Sequence, residues 1–159
     1  MTDEVITIRE GGAANLPEVM HVMDESFDPC FGEAWTASQC AGLLPLPGVW
    51  LSLACGPEGV IGFAMARLVA DEAELLLLAV HRKCQRRGVG KMLLRNFEKV
   101  AAEAGARRLH LEVREGNHAF NIYDDAGYAL VARRKNYYKG QDGHCFDALT
   151  LAKGAGLSG

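Results

Sequence analysis

The longest unbroken apolar stretch in the middle of the chain is Leu75 to Val80, LLLLAV. A strand buried on both faces of a sheet carries such a run. Around it the polarity changes period. Val5 to Arg9 alternates as an edge strand does, and Leu16, Val19, Met20, Met23 and Phe27 then fall on one helical face behind Asn15 as cap and Pro17 in the first turn. Residues 28 to 35 read as a loop. Thr36 is placed to cap a short helix through Leu44, which Pro45 and Pro47 end. Val49–Ala54 and Val60–Val69 predict a hairpin around Gly56 to Gly59, followed by a turn at Asp71 to Glu74. Beyond the central run, Leu93, Phe97, Val100 and Ala104 recur at helical spacing until Gly105 gives a C-cap signal. Arg108 to Val113 alternates again, with Glu112 and His110 on the polar side. A helix over Asn117–Ala126 stops at Gly127, and Tyr128–Ala132 and Cys145–Leu151 predict two closing strands. The alternation of strands and helices, with no repeat or linker, predicts one α/β domain over residues 1–153 and a C-terminal tail at 154–159.

Composition narrows the class. At 159 residues and 49% hydrophobic the chain can bury one good core and not comfortably two. A net charge of −3 disfavours general nucleic-acid binding. Cys30, Cys40, Cys55, Cys84 and Cys145 form no CxxC pair and have no histidine at ligand spacing, which predicts free thiols in a reducing compartment and no metal site. The start, MTDEVITIRE, lacks an apolar signal core, and no run reaches membrane-spanning length. The expectation is a cytoplasmic protein.

Chemistry begins where the central strand ends. The segment LLLLAVHRKCQRRGVGKMLLR runs from strand through a basic glycine turn into a helix. A helix start presents unpaired N–H groups and partial positive charge, and Gly88 and Gly90 would let a phosphate reach the main chain. Two familiar phosphate motifs fail on spacing. Gln85 and Met92 break a P-loop, and Leu93 occupies the third glycine position of a dinucleotide fingerprint. Gln85-Arg86-Arg87-Gly88-Val89-Gly90 instead resembles the Q/R-x-x-G-x-G/A coenzyme A loop of the GCN5-related N-acetyltransferases (GNAT).

Two further segments carry that resemblance across nearly the whole chain. LEVREGNHAFNIYDDAGY, Leu111 to Tyr128, is similar to the family's last motif. ARRKNYYKGQDGHCFDALTL, with Glu33-Ala34-Trp35-Thr36, looks like the branch of bacterial ribosomal-protein alanine N-acetyltransferases, the RimI type. The resemblance implies a single domain with a central mixed, mostly antiparallel sheet flanked by helices, acetyl-CoA as co-substrate, no metal, and a protein N-terminus as acceptor, one belonging to a ribosomal protein. It implies coenzyme contacts from Leu78, Ala79, Val80, Gln85, Arg86, Arg87, Gly88, Val89, Gly90, Lys91, Asn117 and Tyr123, and an acceptor groove walled by Trp35, Tyr137 and Tyr138. One departure stands out: Asn117 and Tyr123 are six residues apart, where the family pattern has seven.

Residue chemistry points the same way. An ammonium must lose a proton before it attacks a thioester, and Glu112 at a strand end is the best-placed acceptor. A backbone N–H near Val80 suits the developing oxyanion, and Tyr123 can serve the departing thiolate. An α-amine titrates near about pKa 8 and a lysine near about 10.4, so a modest carboxylate base suits the α-amine better. Plainer readings stay open for each residue. Glu112 also fits a solvated strand carboxylate, Tyr123, Trp35, Tyr137 and Tyr138 fit packing aromatics, and Asn117 fits a helix cap. Two functional alternatives also stand: an acetyltransferase for a small-molecule amine or lysine, and a non-catalytic acyl-CoA-binding module.

Overall fold

The computed structural model describes residues 5–155. A seven-stranded sheet runs in the order β1-β2-β3-β4-β5-β7-β6. Its strands are β1 (Thr7–Gly11), β2 (Val49–Gly56), β3 (Gly59–Val69), β4 (Glu72–Val80), β5 (Arg108–Arg114), β6 (Ala129–Lys139) and β7 (Cys145–Gly154). All neighbours pair antiparallel except β4 and β5. That one parallel step is forced by the crossover helix α3 (Val89–Glu103), because strands joined through a helix return in the same direction. The mixed, mostly antiparallel sheet flanked by helices expected from the sequence is the architecture found.

Helices cover both faces. α1 (Leu16–Ser26) and α2 (Ala37–Leu43) pack Val19, Val22, Met23 and Cys40 against Leu51, Leu53, Phe63, Met65, Leu77 and Ala79. On the other face Leu93, Leu94, Phe97 and Ala101 of α3 meet Leu75, Leu109, Leu111 and Tyr123 of the short helix α4 (Phe120–Asp125). Ala101, not Ala104, is the last buried position of α3, since Ala104 has already become the C-cap. Gly105 at φ +95° and a bond from Ala106 N–H back to the Ala101 carbonyl close the helix, as the glycine predicted.

The central strand holds the feature that matters for function. Opposite Met65 and Ala66 of β3 stand Leu77 and Leu75, so Leu76 is an extra residue without a partner. Such a bulge bends a strand and changes which side its next residues face. Ala73 and Leu75 therefore join the α3 core, whereas Leu77 and Ala79 join the α1 core, although a regular strand would keep all four on one face. The parallel ladder to β5 stops at the same place, at Leu75 opposite Leu111. Beyond it the two strands part.

Several boundaries differ from the sequence reading. β1 starts two residues later and β4 three residues earlier than expected. α4 begins at Phe120, because the side chain of Asn117 accepts from Ala119 N–H at 2.8 Å and builds a separate turn first. β6 continues to Lys139, well past Ala132. Asn15 is the N-cap residue of α1 as expected, but its side chain makes no bond to the helix N–H groups and accepts instead from Gly12 N–H at 3.0 Å, closing a 3-10 turn ahead of α1. Gly154 still pairs with Arg108 in β7, and residues 156–159 of the expected tail lie outside the described residues.

Candidate active site

Where β4 and β5 part, a cleft of about 320 Å³ opens between them. Residues 76–80 of β4 have no partner on β5, and Leu76, Leu77 and Leu78 border the gap. Leu78, Glu112, Asn117 and Tyr123 line the cleft, as do Trp35, Tyr137 and Tyr138. The structure thus gathers the expected base, the expected leaving-group residue and the three expected acceptor aromatics around one opening. Both members of the six-residue Asn117 to Tyr123 pair reach it, so the shortened spacing removes neither.

Glu112 sits at the floor with its side chain 13% exposed, and Arg134 Nε donates to its Oε1 at 2.9 Å. Burial, and then the charge of the same carboxylate, raise the Tyr137 phenol above its ordinary value. Arg134 keeps 60% of its side chain in solvent and lies 5.5 Å over the Tyr137 ring. An exposed arginine can swing aside for an incoming cation. Burial, and then the charge of Glu33, push the Tyr123 phenol well above its usual range, so it stays a neutral donor.

Two successive tyrosines reach one cleft because β6 is irregular there. Its register against β7 shifts between Arg134 and Tyr138, with Asn136 at φ +54° and its N–H donating to Asp147 Oδ1 at 3.0 Å. The Tyr137 and Tyr138 rings meet edge to face at 5.0 Å. Trp35 arrives from the early loop, which Thr36 and Gln39 anchor through a reciprocal capping box at the start of α2.

Two carboxylates in the cleft had no assigned role in the sequence. Glu33 accepts from Arg114 Nε at 3.0 Å and from Asn117 Nδ2 at 2.7 Å, tying the early loop to the end of β5 and the turn before α4. Arg114 also stacks 3.7 Å over the Phe31 ring. Glu74 faces His110, its partner across the parallel ladder, at 3.8 Å, and burial holds its carboxyl above the ordinary range. The motif EAWT contained the signal for Glu33; a strand-start glutamate such as Glu74 carried none.

The basic glycine loop lies at the other end of β4. Gln85 Nε2 donates back to the Val80 carbonyl at 3.0 Å, Arg86 and Gly88 take left-handed backbone angles of +67° and +82°, and α3 starts at Val89. A Cβ on Gly88 would meet no protein atom within 4 Å, so conformation, not crowding, requires the glycine. Gly90 has a different reason. A Cβ there would come within 3.1 Å of Ile122 Cδ1, so this glycine lets α3 and α4 approach. Ala79 and Val80 lead into the loop, and Lys91 lies one turn along on an exposed side of α3. Among the described residues no group of three or more His, Cys, Asp or Glu side chains could hold a metal, and no helix is long and apolar enough to cross a membrane.

The sequence profile of the Acetyltransferase (GNAT) family matches residues 16–128, from the start of α1 through the turn after α4. The chain belongs to this family. A [ribosomal protein bS18]-alanine N-acetyltransferase of Haemophilus influenzae is 40% identical over 93 residues, covering 58% of this chain and 64% of that protein. The matched stretch thus spans just under two thirds of that relative. The crystal structure of the ribosomal-protein-S18-alanine N-acetyltransferase from Escherichia coli superposes with a TM-score of 0.85 at 27% identity, covering 98% of this GNAT chain and 97% of that one. Arabidopsis thaliana NAA60 in complex with acetyl-CoA shares the fold at 18% identity, with a TM-score of 0.79 over 94% of this chain and 98% of that one.

Proposed function

We propose that this GNAT protein transfers the acetyl group of acetyl-CoA to the α-amine of a protein N-terminus, the acceptor being a ribosomal protein in the cytoplasm. The observation that carries the reading is the cleft at the bulge of β4, with Glu112 on one element and Tyr123 on another. The acceptor and coenzyme sides are supported by the bS18-alanine N-acetyltransferases the chain resembles and by a fold relative crystallised with acetyl-CoA.

In this reading the pyrophosphate rests against backbone N–H groups from Arg87 to Gly90, and the thioester carbonyl reaches the edge of residues 78–80 that β5 leaves without a partner. Arg86, Val89 and Lys91 flank the phosphates, Gln85 fixes the loop, and Asn117 contributes from the turn before α4. The acceptor ammonium displaces Arg134, gives its proton to Glu112, and attacks; the C–N bond forms as the C–S bond breaks. Tyr123 donates a hydrogen bond to the departing sulfur. A free phenol near about pKa 10 against a thiol near about 8.5 makes full proton transfer uphill by about 2 kcal/mol, and burial of Tyr123 raises that cost further.

The decisive assay offers acetyl-CoA with N-terminal peptides beginning in alanine or serine, beside free lysine and polyamines. Peptide acetylation supports the reading. Acetylation of a polyamine or free amino acid alone would replace it with a small-amine enzyme. The loop has its own test: Gly88→Val forces a β-branched residue into a left-handed conformation, so the acetyl-CoA Kd should rise at least tenfold, about 1.4 kcal/mol, by calorimetry. An unchanged Kd would remove the loop from the coenzyme site.

A further inference from the structure

The turn between β4 and α3 is held from behind by a histidine. His81 N–H donates to the Ile61 carbonyl at 2.8 Å, which anchors the backbone to β3. Its Nδ1 accepts from Lys83 N–H at 3.1 Å, and its carbonyl accepts from Cys84 N–H at 2.7 Å, so one residue closes the first turn of the loop twice. The side-chain bond exists only while Nδ1 is unprotonated, with the imidazole hydrogen on Nε2. Protonation would point Nδ1–H at Lys83 N–H, two donors facing each other.

The surroundings make that change felt. The side chain of His81 is only 16% exposed, so little water is at hand to replace the lost bond. From α1, Glu25 Oε2 stands 4.0 Å from Nε2, and the His21 ring lies 5.5 Å away. On the turn itself stand Arg82 and Lys83, with Arg82 Nε donating to the Glu25 carbonyl at 3.4 Å. Downstream, Gln85, Arg86 and Gly88 take their positions from this turn, and α3 follows.

We propose that His81 is a positioning residue for the coenzyme loop: neutral, it fixes the turn from which residues 87–90 meet the pyrophosphate, and protonated, it releases that turn and weakens coenzyme binding. The inference rests on reading the loop as the acetyl-CoA site. Two effects compete on protonation. An added cation would attract the phosphates, whereas loss of the cap would disorganise the N–H groups that bind them. Geometry dominates here, because the bond to Lys83 is direct and short while the imidazole lies behind the loop.

Calorimetry of acetyl-CoA binding at about pH 8 and about pH 5.5, the range over which histidine changes charge, tests this on the parent, His81→Asn and His81→Ala. Asparagine caps a turn well and does not titrate, whereas alanine offers no acceptor. At the higher pH the Asn variant should bind within about twofold of the parent and the Ala variant roughly threefold to tenfold more weakly, the usual worth of a cap. At the lower pH the parent should fall to the level of the Ala variant while the Asn variant keeps its advantage. The ratio of parent to Asn variant cancels titration of the coenzyme's own phosphates. Amide exchange at Lys83 in the free protein should quicken in the Ala variant and in the acidified parent, and peptide KM should stay constant. A parent-to-Asn ratio equal at both pH values, a parent that binds relatively tighter in acid, or an Ala variant equal to the parent at the higher pH overturns the proposal. A parent that binds no acetyl-CoA at either pH overturns the reading of the loop itself, and this inference with it.

Discussion

Glu112→Gln should lower kcat by about a hundredfold or more near neutral pH, while acetyl-CoA binds as before. Glutamine keeps the size of the side chain and still accepts a hydrogen bond from Arg134, but it cannot take the acceptor's proton. The reaction then draws on the small fraction of amine already deprotonated. Raising the pH toward the α-amine's own pKa of about 8 enlarges that fraction, so the variant should recover relative to the parent. Steady-state kinetics across pH, with calorimetry for the coenzyme, measures both. A variant that turns over like the parent would falsify the assignment and leave bulk water or another cleft carboxylate such as Glu74 as the acceptor.

Gly140→Ala should weaken peptide use by about 1 to 3 kcal/mol, roughly fivefold to a hundredfold in kcat/KM, and leave acetyl-CoA affinity nearly unchanged. Gly140 lies where the β6–β7 hairpin crosses the early loop, and a Cβ there would overlap the Cys30 carbonyl. The contact is reciprocal. Gly32, at φ +70°, would bring its own Cβ onto the Lys139 carbonyl, and Gln141 N–H donates to the Pro29 carbonyl at 3.1 Å. Backbone cannot yield as a side-chain end can, so the hairpin must lift and carry Tyr137 and Tyr138 away from Trp35. If the alanine variant acetylates peptides at the parent rate, those aromatics do not form the acceptor walls.

What the sequence made legible was local. The run from Leu75 through Gly90 announced strand, turn and helix, and the Thr36 cap followed from one hydroxyl and a glutamine three residues on. Alternation put Glu112 on the polar side of its strand, and the family resemblance, not the period, marked it as the candidate base. The bulge at Leu76 could not be seen, because four consecutive leucines give no polar marker to show a change of face. The full length of β6 was hidden for a related reason: its residues are exposed almost throughout, so its polarity follows no period. Glu33 joins Arg114 across 81 positions, and only tertiary structure could pair them. The second constraint on Gly90, its closeness to Ile122 of a later helix, was likewise out of sight in the sequence.

The extra residue in β4 makes the strand behave like a reading frame. Substituting Leu76 by another apolar residue would leave the pairing on either side intact, since Leu75 and Leu77 keep their partners on β3. Removing it would erase the bulge. Leu75 and Leu77, which already stand opposite consecutive residues of β3, would become neighbours on β4 with their faces unchanged, but the strand would lose the bend that releases it from β5. The gap between β4 and β5 is therefore written as a count of residues, not as any one side chain, and this position can vary freely in identity while tolerating no change in length.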